Sequence, residues 1–259
     1  MKITILGCGP SAGVPLIGCE CSVCLSSTSK NKRTRASIAI TTDAGKVILV
    51  DASPDLRQQA LACGLRRVDA LILTHAHADH CHGLDDMRSF NYLAHDAIDL
   101  YADTHTLDEV RERFSYVFTP HDLRYGWYKP QFHCHNLPDH VAMTSIADVH
   151  VQTFMQHHGS VNSLGIRIGN FAYSTDVKSF PEASFAALEG LDLWIVDCLR
   201  LQEAPTHAHL DLTLAWIERL KPKRAILTHM GHELDYDVLN AQLPKGVEMG
   251  YDGMVIEVL

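Results

Sequence analysis

Residues 74–80 constrain the chain more than any other segment, because they place three histidines and one aspartate directly after a short apolar run. Neighbouring side chains of an extended segment point to opposite faces, so His75 and His77 are predicted to lie on the same side. Asp79 and His80 follow the predicted end of the strand, where a turn can direct them to a second point. Imidazole and carboxylate groups together suit zinc, manganese or iron. The segment therefore predicts a site for two metal ions rather than a histidine-rich surface loop.

Length and composition favour a globular protein. A chain of 259 residues can bury a large core, and 46% hydrophobic with 20% charged residues is typical of folded domains. No apolar stretch is long enough to span a membrane, and the first seven residues favour a strand over a signal peptide. Eight cysteines without a secretory signal predict a reducing compartment and hence a cytoplasmic protein. The net charge of −9 argues against a nucleic-acid partner, without excluding a local cationic pocket.

Short apolar runs and helical patterns follow one another along the whole chain. No linker, low-complexity tract or repeat interrupts them, so a single domain over residues 1–259 is predicted. The pattern favours an α/β fold in which helices cover two sheets, a four-layer αββα sandwich. Strands are predicted over 2–6, 37–41, 47–50, 70–73, 150–154, 164–168, 171–174, 193–196, 224–227 and 254–258, and helices over 54–63, 107–118, 180–188, 210–220 and 236–243.

Three further candidate ligands, His158, Asp176 and His229, follow predicted strands. Each alone is more often structural, but beside residues 74–80 they complete a set of seven donors. Such a set can give each of two metals three ligands, with one carboxylate bridging. A water between two metals becomes a hydroxide near neutral pH, and the metal pair can hold the attacking and leaving oxygens of a displacement. The set therefore indicates metal-assisted hydrolysis.

A second cluster of donors lies near the N-terminus, where Cys19, Cys21 and Cys24 form a CxCxxC pattern. Three thiolates so close together favour a soft cation, and a structural zinc site needs a fourth ligand. His232, three residues after His229, is the candidate. Free thiols, or a redox or iron–sulfur role, are the alternatives. The pattern predicts one structural zinc.

The run Thr-His-x-His-x-Asp-His after an apolar strand resembles the signature of the metallo-β-lactamase superfamily. The resemblance extends from the first strand to His232 and implies the metallo-β-lactamase-like αββα fold. It also implies that Asp51, after the predicted strand 47–50, supports the metal-binding loop. By this resemblance one metal is held by His75, His77 and His158, the other by Asp79, His80 and His229, and Asp176 bridges the two.

The cysteine cluster, together with Leu-Thr-His-x-x-His near the C-terminus, resembles the PhnP-type cyclic-phosphate phosphodiesterases of phosphonate breakdown, which carry such a structural zinc. In that pattern a histidine about 22 residues before His229 acts on the substrate, and His207 is the match. His209 lies close enough to stay an alternative. The histidine would stabilise charge on phosphorus or protonate the departing alkoxide. The resemblance also implies a homodimer.

These observations predict a phosphodiesterase whose partner is a small-molecule, cyclic phosphate ester. A metal-bound hydroxide would attack in line, Asp79 would hold both metal and hydroxide, and His207 would assist the leaving group. The two active-site metals are expected to be zinc or manganese, and no membrane partner is expected. A ribonuclease Z-like nuclease and a lactonase or thioesterase are the enzymatic alternatives, and a metal-storage or sensing protein is the other one.

Several remaining patterns have structural interpretations. Residues 7–13 mimic a nucleotide-binding glycine loop, but their spacing differs and no helix is predicted to follow. The His-Cys-His run 133–135 is expected in a loop without a metal. The aromatic segment 125–128 is expected to line a pocket or a subunit contact. Asp211 is the predicted cap of helix 210–220.

Overall fold

Fourteen strands in the described part of the chain form two mixed sheets of seven strands each. The structure, a computed structural model, describes residues 1–120, 122, 124, 126 and 128–258. The interpretation of Tyr125 and Trp127 therefore lies outside the described residues. The strands are β1 (Lys2–Gly7), β2 (Ser37–Thr41), β3 (Val47–Val50), β4 (Ala70–Ile72), β5 (Ile98–Ala102), β6 (Phe132–Asn136), β7 (Ala142–Ile146), β8 (Val149–His158), β9 (Val161–Ile168), β10 (Phe171–Ser174), β11 (Leu193–Asp197), β12 (Arg224–Thr228), β13 (Val247–Met249) and β14 (Val255–Glu257).

Eight α-helices and two 3₁₀ turns, Ser29–Asn31 and Leu84–Met87, complete the secondary structure of the described residues. None of the helices within these residues has the length and hydrophobicity needed to cross a bilayer. The helices are α1 (Ser22–Leu25), α2 (Leu56–Ala62), α3 (Ala78–Cys81), α4 (Arg88–Ala94), α5 (Thr104–Arg113), α6 (Glu182–Ala187), α7 (Leu210–Leu220) and α8 (Tyr236–Asn240).

Both sheets combine antiparallel and parallel pairs in the same way. The strand order is β14-β1-β2-β3-β4-β5-β6 in the first sheet and β13-β12-β11-β10-β9-β8-β7 in the second. Strands β14 to β3 pair antiparallel and β3 to β6 parallel. Likewise, β7 to β10 pair antiparallel and β10 to β13 parallel. Ligand sites in such sheets form beyond the carboxyl ends of the parallel strands, so those ends are where the functional side chains are expected.

Alternating side chains divide the apolar residues between layers. In β3, Ile48 and Val50 belong to the core between the sheets, whereas Leu49 faces the core under the helices of the first sheet. Helices also pack against the second sheet, where α6 contributes Phe185 and α7 contributes Trp216. The predicted four-layer αββα sandwich is thus confirmed.

The structure differs from the sequence-based expectations at several elements. It adds β5, β6, β7 and β13 to the ten predicted strands. Residues 133–135 belong to β6, so the loop expected there is wrong. Strand β6 lies at a sheet edge with largely exposed side chains, and it therefore lacks the apolar pattern of a buried strand.

The predicted cap of α7 is also wrong. The helix begins at Leu210, and His209 is its N-cap residue. Asp211 lies inside the first turn, where a carboxylate interacts favourably with the helix dipole but does not cap the chain.

Candidate active site and metal centres

Strand ends from both sheets bring polar residues together. Asp51 follows β3 of the first sheet, whereas Asp176 follows β10, His229 follows β12 and Asp197 ends β11 of the second. Asp51, Asp176 and His229 have φ values of 64°, 54° and 58°, which non-glycine residues seldom adopt. Such backbone conformations persist where the surrounding structure imposes them, and they cluster at functional sites.

Residues 74–80 reach the site by a route other than the expected one. Strand β4 ends at Ile72, so strand alternation does not place His75 and His77, and that part of the prediction is wrong. His77 is the N-cap residue of the short helix α3, which carries Asp79 and His80. A loop followed by one helical turn therefore directs the four side chains.

The first donor group consists of His75, His77, His158 and Asp176, whose candidate ligand atoms all lie within 4.8 Å of one another. The Nδ1 atom of His158 lies 2.8 Å from the carbonyl oxygen of Thr206, which can only accept, so Nδ1 must donate. Nε2 of His158 therefore carries a lone pair, and it lies 3.3 Å from Nδ1 of His77.

His75 has its ring orientation set by a hydrogen-bond chain. The hydroxyl of Thr74 donates to Oδ2 of Asp51 over 2.9 Å and therefore accepts from Nδ1 of His75 over 3.0 Å. The Nε2 atom of His75 is left to face Oδ1 of Asp176 at 3.9 Å. Asp51 thus supports the loop without belonging to either donor group, as the resemblance implies.

The second donor group consists of Asp79, His80, Asp176 and His229, again within 4.8 Å of one another. Nδ1 of His80 donates to Oδ2 of Asp51 over 2.7 Å, and its Nε2 lies 3.2 Å from Asp79 and 3.1 Å from Asp176. Nε2 of His229 lies 3.5 Å from Asp79 and 3.4 Å from Asp176. Asp176 therefore contacts both groups, which is the position expected of a bridging carboxylate.

Divalent cations fit these two groups. The Nε2 atoms of His75, His80 and His229 are buried and have no hydrogen-bond partner. Burying such nitrogens unpartnered is unfavourable, whereas a cation can occupy their lone pairs. Imidazole nitrogens and carboxylate oxygens are also the donors that zinc and manganese accept.

The charges of the cluster point the same way. Burial disfavours a charged imidazole, yet the carboxylates of Asp176, Asp79 and Asp197 raise the pKa of His229 to about 9. The pKa of His80 is also raised despite its burial, by Asp176, Asp51 and Asp79. Burial and the charge of His80 lower the pKa of His75. The carboxylates thus favour a positive charge at His80 and His229, and a bound cation would supply that charge.

His207 lies beside the two donor groups, where it contacts Asp197 and His229. Its Nδ1 lies 3.0 Å from Oδ2 of Asp197, which also accepts from the amide of Val177. The rings of His207 and His229 are stacked, with centroids 4.7 Å apart. The sequence does not indicate this contact, because ten residues separate Asp197 from His207.

A cleft of about 350 Å³ opens onto both donor groups. Ser11, Ser160 and Thr206 line it together with His207. His209 instead precedes α7 outside the cleft lining, so the geometry favours His207 in the choice that the sequence leaves open. A larger cavity of about 650 Å³ lies elsewhere, lined by residues such as Arg66 and Phe90, and contains neither donor group.

The cysteine cluster forms a separate donor group with His232. The Sγ atoms of Cys19 and Cys21 each lie 3.4 Å from Nδ1 of His232, and all four donor atoms lie within 4.8 Å of one another. The hydrogen bond with His232, followed by the amide of Cys24, lowers the pKa of Cys21 to about 6. Backbone amides also reach the cluster, and that of Leu16 donates to Sγ of Cys24 over 3.3 Å. Three thiols and one imidazole are a donor set that suits zinc.

Comparisons with known proteins show the family and the fold. The profile of a family described as "Beta-lactamase superfamily domain" matches residues 46–230. A solved diphosphatase from the PhnP family has a TM-score of 0.91 at 36% identity, covering 100% of this chain and 98% of that one. Zn²⁺-bound PqqB from Methylobacterium extorquens has a TM-score of 0.78 at 20% identity over all of both chains, which shows the fold alone.

One curated relative extends beyond the matched region. An octanoyltransferase of Porphyromonas gingivalis is 37% identical over 256 residues, which are 98% of this chain but 51% of that protein. The chain thus spans about half the length of this relative. The activity in its name describes the whole longer protein.

Proposed function

We propose that this chain, which belongs to the beta-lactamase superfamily and, within it, to the PhnP family, is a metal-dependent hydrolase that cleaves a small, cyclic phosphodiester. One observation carries this proposal: two donor groups share Asp176, and His207 faces the same cleft. A two-metal site suits an in-line displacement at phosphorus, since attacking and leaving oxygens then both have a partner.

The residues divide between the two cations as follows. His75, His77 and His158 would hold one metal, Asp79, His80 and His229 the other, and Asp176 would bridge them. When bound, two zinc or manganese ions would supply an activated water and neutralise charge on the phosphate oxygens. Cys19, Cys21, Cys24 and His232 would hold a structural zinc away from the chemistry.

Asp79 is proposed to orient the attacking water. Burial disfavours its charge, but His80 and His229 hold the pKa of its carboxyl well below the usual range. An ionised carboxylate that is still slightly exposed to the cleft can accept a hydrogen bond from water. Asp79 would thereby align the water with the phosphorus as well as binding a metal.

His207 is proposed to act on the leaving oxygen. Its Nδ1 faces the carboxylate of Asp197, so Nε2 is the atom available to the substrate. The contact with Asp197 fixes the ring through Nδ1, and an imidazole oriented in this way can transfer a proton from Nε2 to the departing alkoxide. Ser11, Ser160 and Thr206 offer hydroxyls to the organic part of the ester.

Diphosphate hydrolysis is the second candidate, because the PhnP-family structure is described as a diphosphatase. Both reactions attack phosphorus and use the same residues, but they differ in the leaving group. An alkoxide needs a proton from His207 more than a phosphate does, since phosphate is the better leaving group.

A substrate panel separates the candidates. The metal-loaded protein is assayed with bis-p-nitrophenyl phosphate, 2′,3′-cyclic nucleotides, ribosyl cyclic phosphates, nucleoside diphosphates, a tRNA precursor and lactones. We expect the fastest turnover on a cyclic phosphate, loss of activity in Asp79→Ala, and a larger decrease in His207→Ala on the cyclic ester than on a diphosphate. Faster cleavage of the tRNA precursor or of a lactone, or full activity in Asp79→Ala, would overturn the proposal.

A further inference from the structure

One short loop carries a candidate ligand of each metal centre. His229 belongs to the dinuclear donor group and His232 to the cysteine group. The loop is held from outside, since the amide of Met230 donates to the carbonyl of Cys8 and that of Gly231 to the carbonyl of Leu199, both over 2.8 Å. The position of each histidine therefore depends on what fixes this loop.

Arg33 is the side chain that holds the loop by hydrogen bonds. It is 2% exposed, which is unusual for arginine, and Nη1 donates to the carbonyl oxygen of Gly231 over 2.8 Å. Nη2 donates to the backbone carbonyl oxygen of Leu234 and to the side-chain oxygen Oδ1 of Asn31. The two backbone carbonyls stand on either side of His232. A planar guanidinium can hold both at once, because its donors have a fixed fork geometry.

Asn31 adds hydrogen bonds to the end of the loop. Its Nδ2 donates to Oδ2 of Asp235 over 2.9 Å and to Oγ of Ser26, and its Oδ1 accepts from the amide of Tyr236. Ser26 is the C-cap residue of α1, the helix that contains Cys24. These bonds join the cysteine segment to the loop at points that do not involve any metal.

The backbone of Arg33 completes the connection. Its amide and carbonyl pair with those of Val14 over 2.8 Å in both directions. Val14 packs with Cys24, and Leu16 just beyond it donates its amide to Sγ of Cys24. Arg33 therefore contacts the segment around Val14, which packs against the thiols, on one side and the histidine loop on the other.

Charge gives a second reason for an arginine at position 33. The hydrogen bonds of the Arg33 guanidinium go to amide and backbone oxygens, not to a carboxylate. Burial lowers the pKa of Arg33, and this shift is opposed by Cys8, Asp252 and Asp235 and, to a smaller extent, by Cys24. Three thiolates and a neutral imidazole around Zn²⁺ leave a net charge of minus one, and a buried positive charge nearby stabilises it.

We propose that Arg33 is a positioning residue that couples the two metal centres: by holding the carbonyls of Gly231 and Leu234 it sets His232 against the cysteines and His229 against Asp79 and Asp176. The inference rests on the proposed metal sites. Residues that orient metal ligands typically change metal affinity by about 10- to 100-fold when they are replaced.

Cobalt substitution tests the coupling without an activity assay. The protein is loaded with Co²⁺, whose thiolate charge-transfer absorption reports the cysteine site and whose weaker visible bands report the dinuclear site. Loss of each signal to a chelator is timed in Arg33→Met and Arg33→Lys, at a temperature where circular dichroism shows them folded. We expect both rates to increase, by about 10- to 100-fold in Arg33→Met and by less in Arg33→Lys, which keeps the charge but not the fork.

Arg35 provides a matched control on the same segment. It pairs with Asp55 over 3.0 Å and donates to the carbonyl of Ser11, away from the loop. We expect Arg35→Met to release both metals at the wild-type rate. Equal acceleration in Arg35→Met would overturn the proposal, because general loosening would then explain the effect.

Other outcomes are equally decisive. Unchanged rates in the folded Arg33 variants, or faster loss at the cysteine site alone, would overturn the coupling. If Arg33→Met does not fold, Arg33→Lys decides the question. A wild-type protein without thiolate–cobalt absorption would overturn both the coupling and the structural zinc, whereas cobalt results as expected without cleavage of any phosphate would overturn only the proposed function.

Discussion

Hydrogen bonds at Nδ1 decide which ring nitrogen of each site histidine is left for a cation or a substrate. His75, His80 and His158 each donate Nδ1–H to an oxygen, so their Nε2 atoms are free for a cation. His77 presents Nδ1 instead, because that atom faces Nε2 of His158. His207, like His80, has a buried carboxylate at its Nδ1, but it lies outside the two donor groups that share Asp176 and lines the cleft. The position of each ring relative to the donor groups and the cleft thus decides whether a histidine is suited to bind a metal or to act on a substrate.

Replacing Asp197 tests the role of His207 at this scale. Asp197→Asn removes the carboxylate beside Nδ1 of His207, while the amide oxygen can keep both hydrogen bonds. We expect kcat on a cyclic phosphodiester to fall by about 10²- to 10⁴-fold, the range typical of general acid catalysis. Metal content, measured by elemental analysis, is expected to stay at the wild-type level.

The control is His207→Ala alone and combined with Asp197→Asn. If the two residues act as a unit, the double variant is no less active than the less active of the two single variants. Additive losses would contradict the pairing, as would wild-type activity in Asp197→Asn.

At the scale of elements, tight turns hold the site. The β8–β9 turn contains Gly159 at φ 66°, and a Cβ added there would lie 2.4 Å from Cγ2 of Thr206. Thr206 supplies the carbonyl that orients His158 and precedes His207. The absence of one side chain in a hairpin turn therefore allows the segment 205–207 to approach the strand end.

We therefore expect Gly159→Ala to impair the site as well as the turn. The matched control is Gly169→Ala in the β9–β10 turn, where φ is 57° and a Cβ would meet nothing within 4 Å. Both changes should cost about 1–2 kcal/mol for the left-handed backbone. The clash should cost Gly159→Ala about 1–3 kcal/mol more.

Urea denaturation of the metal-free forms measures these costs, and metal titration measures affinity at the site. We expect weaker metal binding in Gly159→Ala only. Equal stabilities and equal metal affinities of the two variants would show that Thr206 adapts without consequence.

At the scale of the whole molecule, the candidate metals join the two sheets. Residues after β3 and β4 come from the first sheet, and His158, Asp176 and His229 come from the second. A cation bound between them adds stability, because it binds the folded chain and not the unfolded one. The homodimer and the single domain over 1–259 remain predictions.

Chelation is therefore expected to lower the melting temperature. EDTA should remove two of about three metal ions per chain and leave the thiolate-bound one, since a chelator competes less well for a closed thiolate site. Free metal at a hundredfold excess over its Kd stabilises a protein by about 2.7 kcal/mol, so adding Zn²⁺ or Mn²⁺ should restore the melting temperature. EDTA presaturated with calcium is the control. An unchanged melting temperature after loss of two metals would contradict a link between the sheets.

The sequence predicts the buried strands better than the exposed ones. Strands β3 and β12 are apolar runs followed directly by Asp51 and His229, and β10 is followed two residues later by Asp176, so both the strand and its functional side chain are visible locally. Strand β6 carries His133 and His135 at a sheet edge, and its pairing with β5 rather than its own composition makes it a strand. Pairing between segments far apart in the chain leaves no local signal.

The sequence by itself determined the chemistry of the donors, because the identity of a ligand atom resides in its side chain. Three histidines and an aspartate within residues 74–80, and three cysteines within 19–24, already indicate cations of two kinds. Only the tertiary structure decided which donors meet, which nitrogen of each ring is free, and that Asp197 contacts His207 and Arg33 contacts the loop of His232. These contacts depend on distances between side chains that folding brings together from separate strands, and no local pattern encodes them.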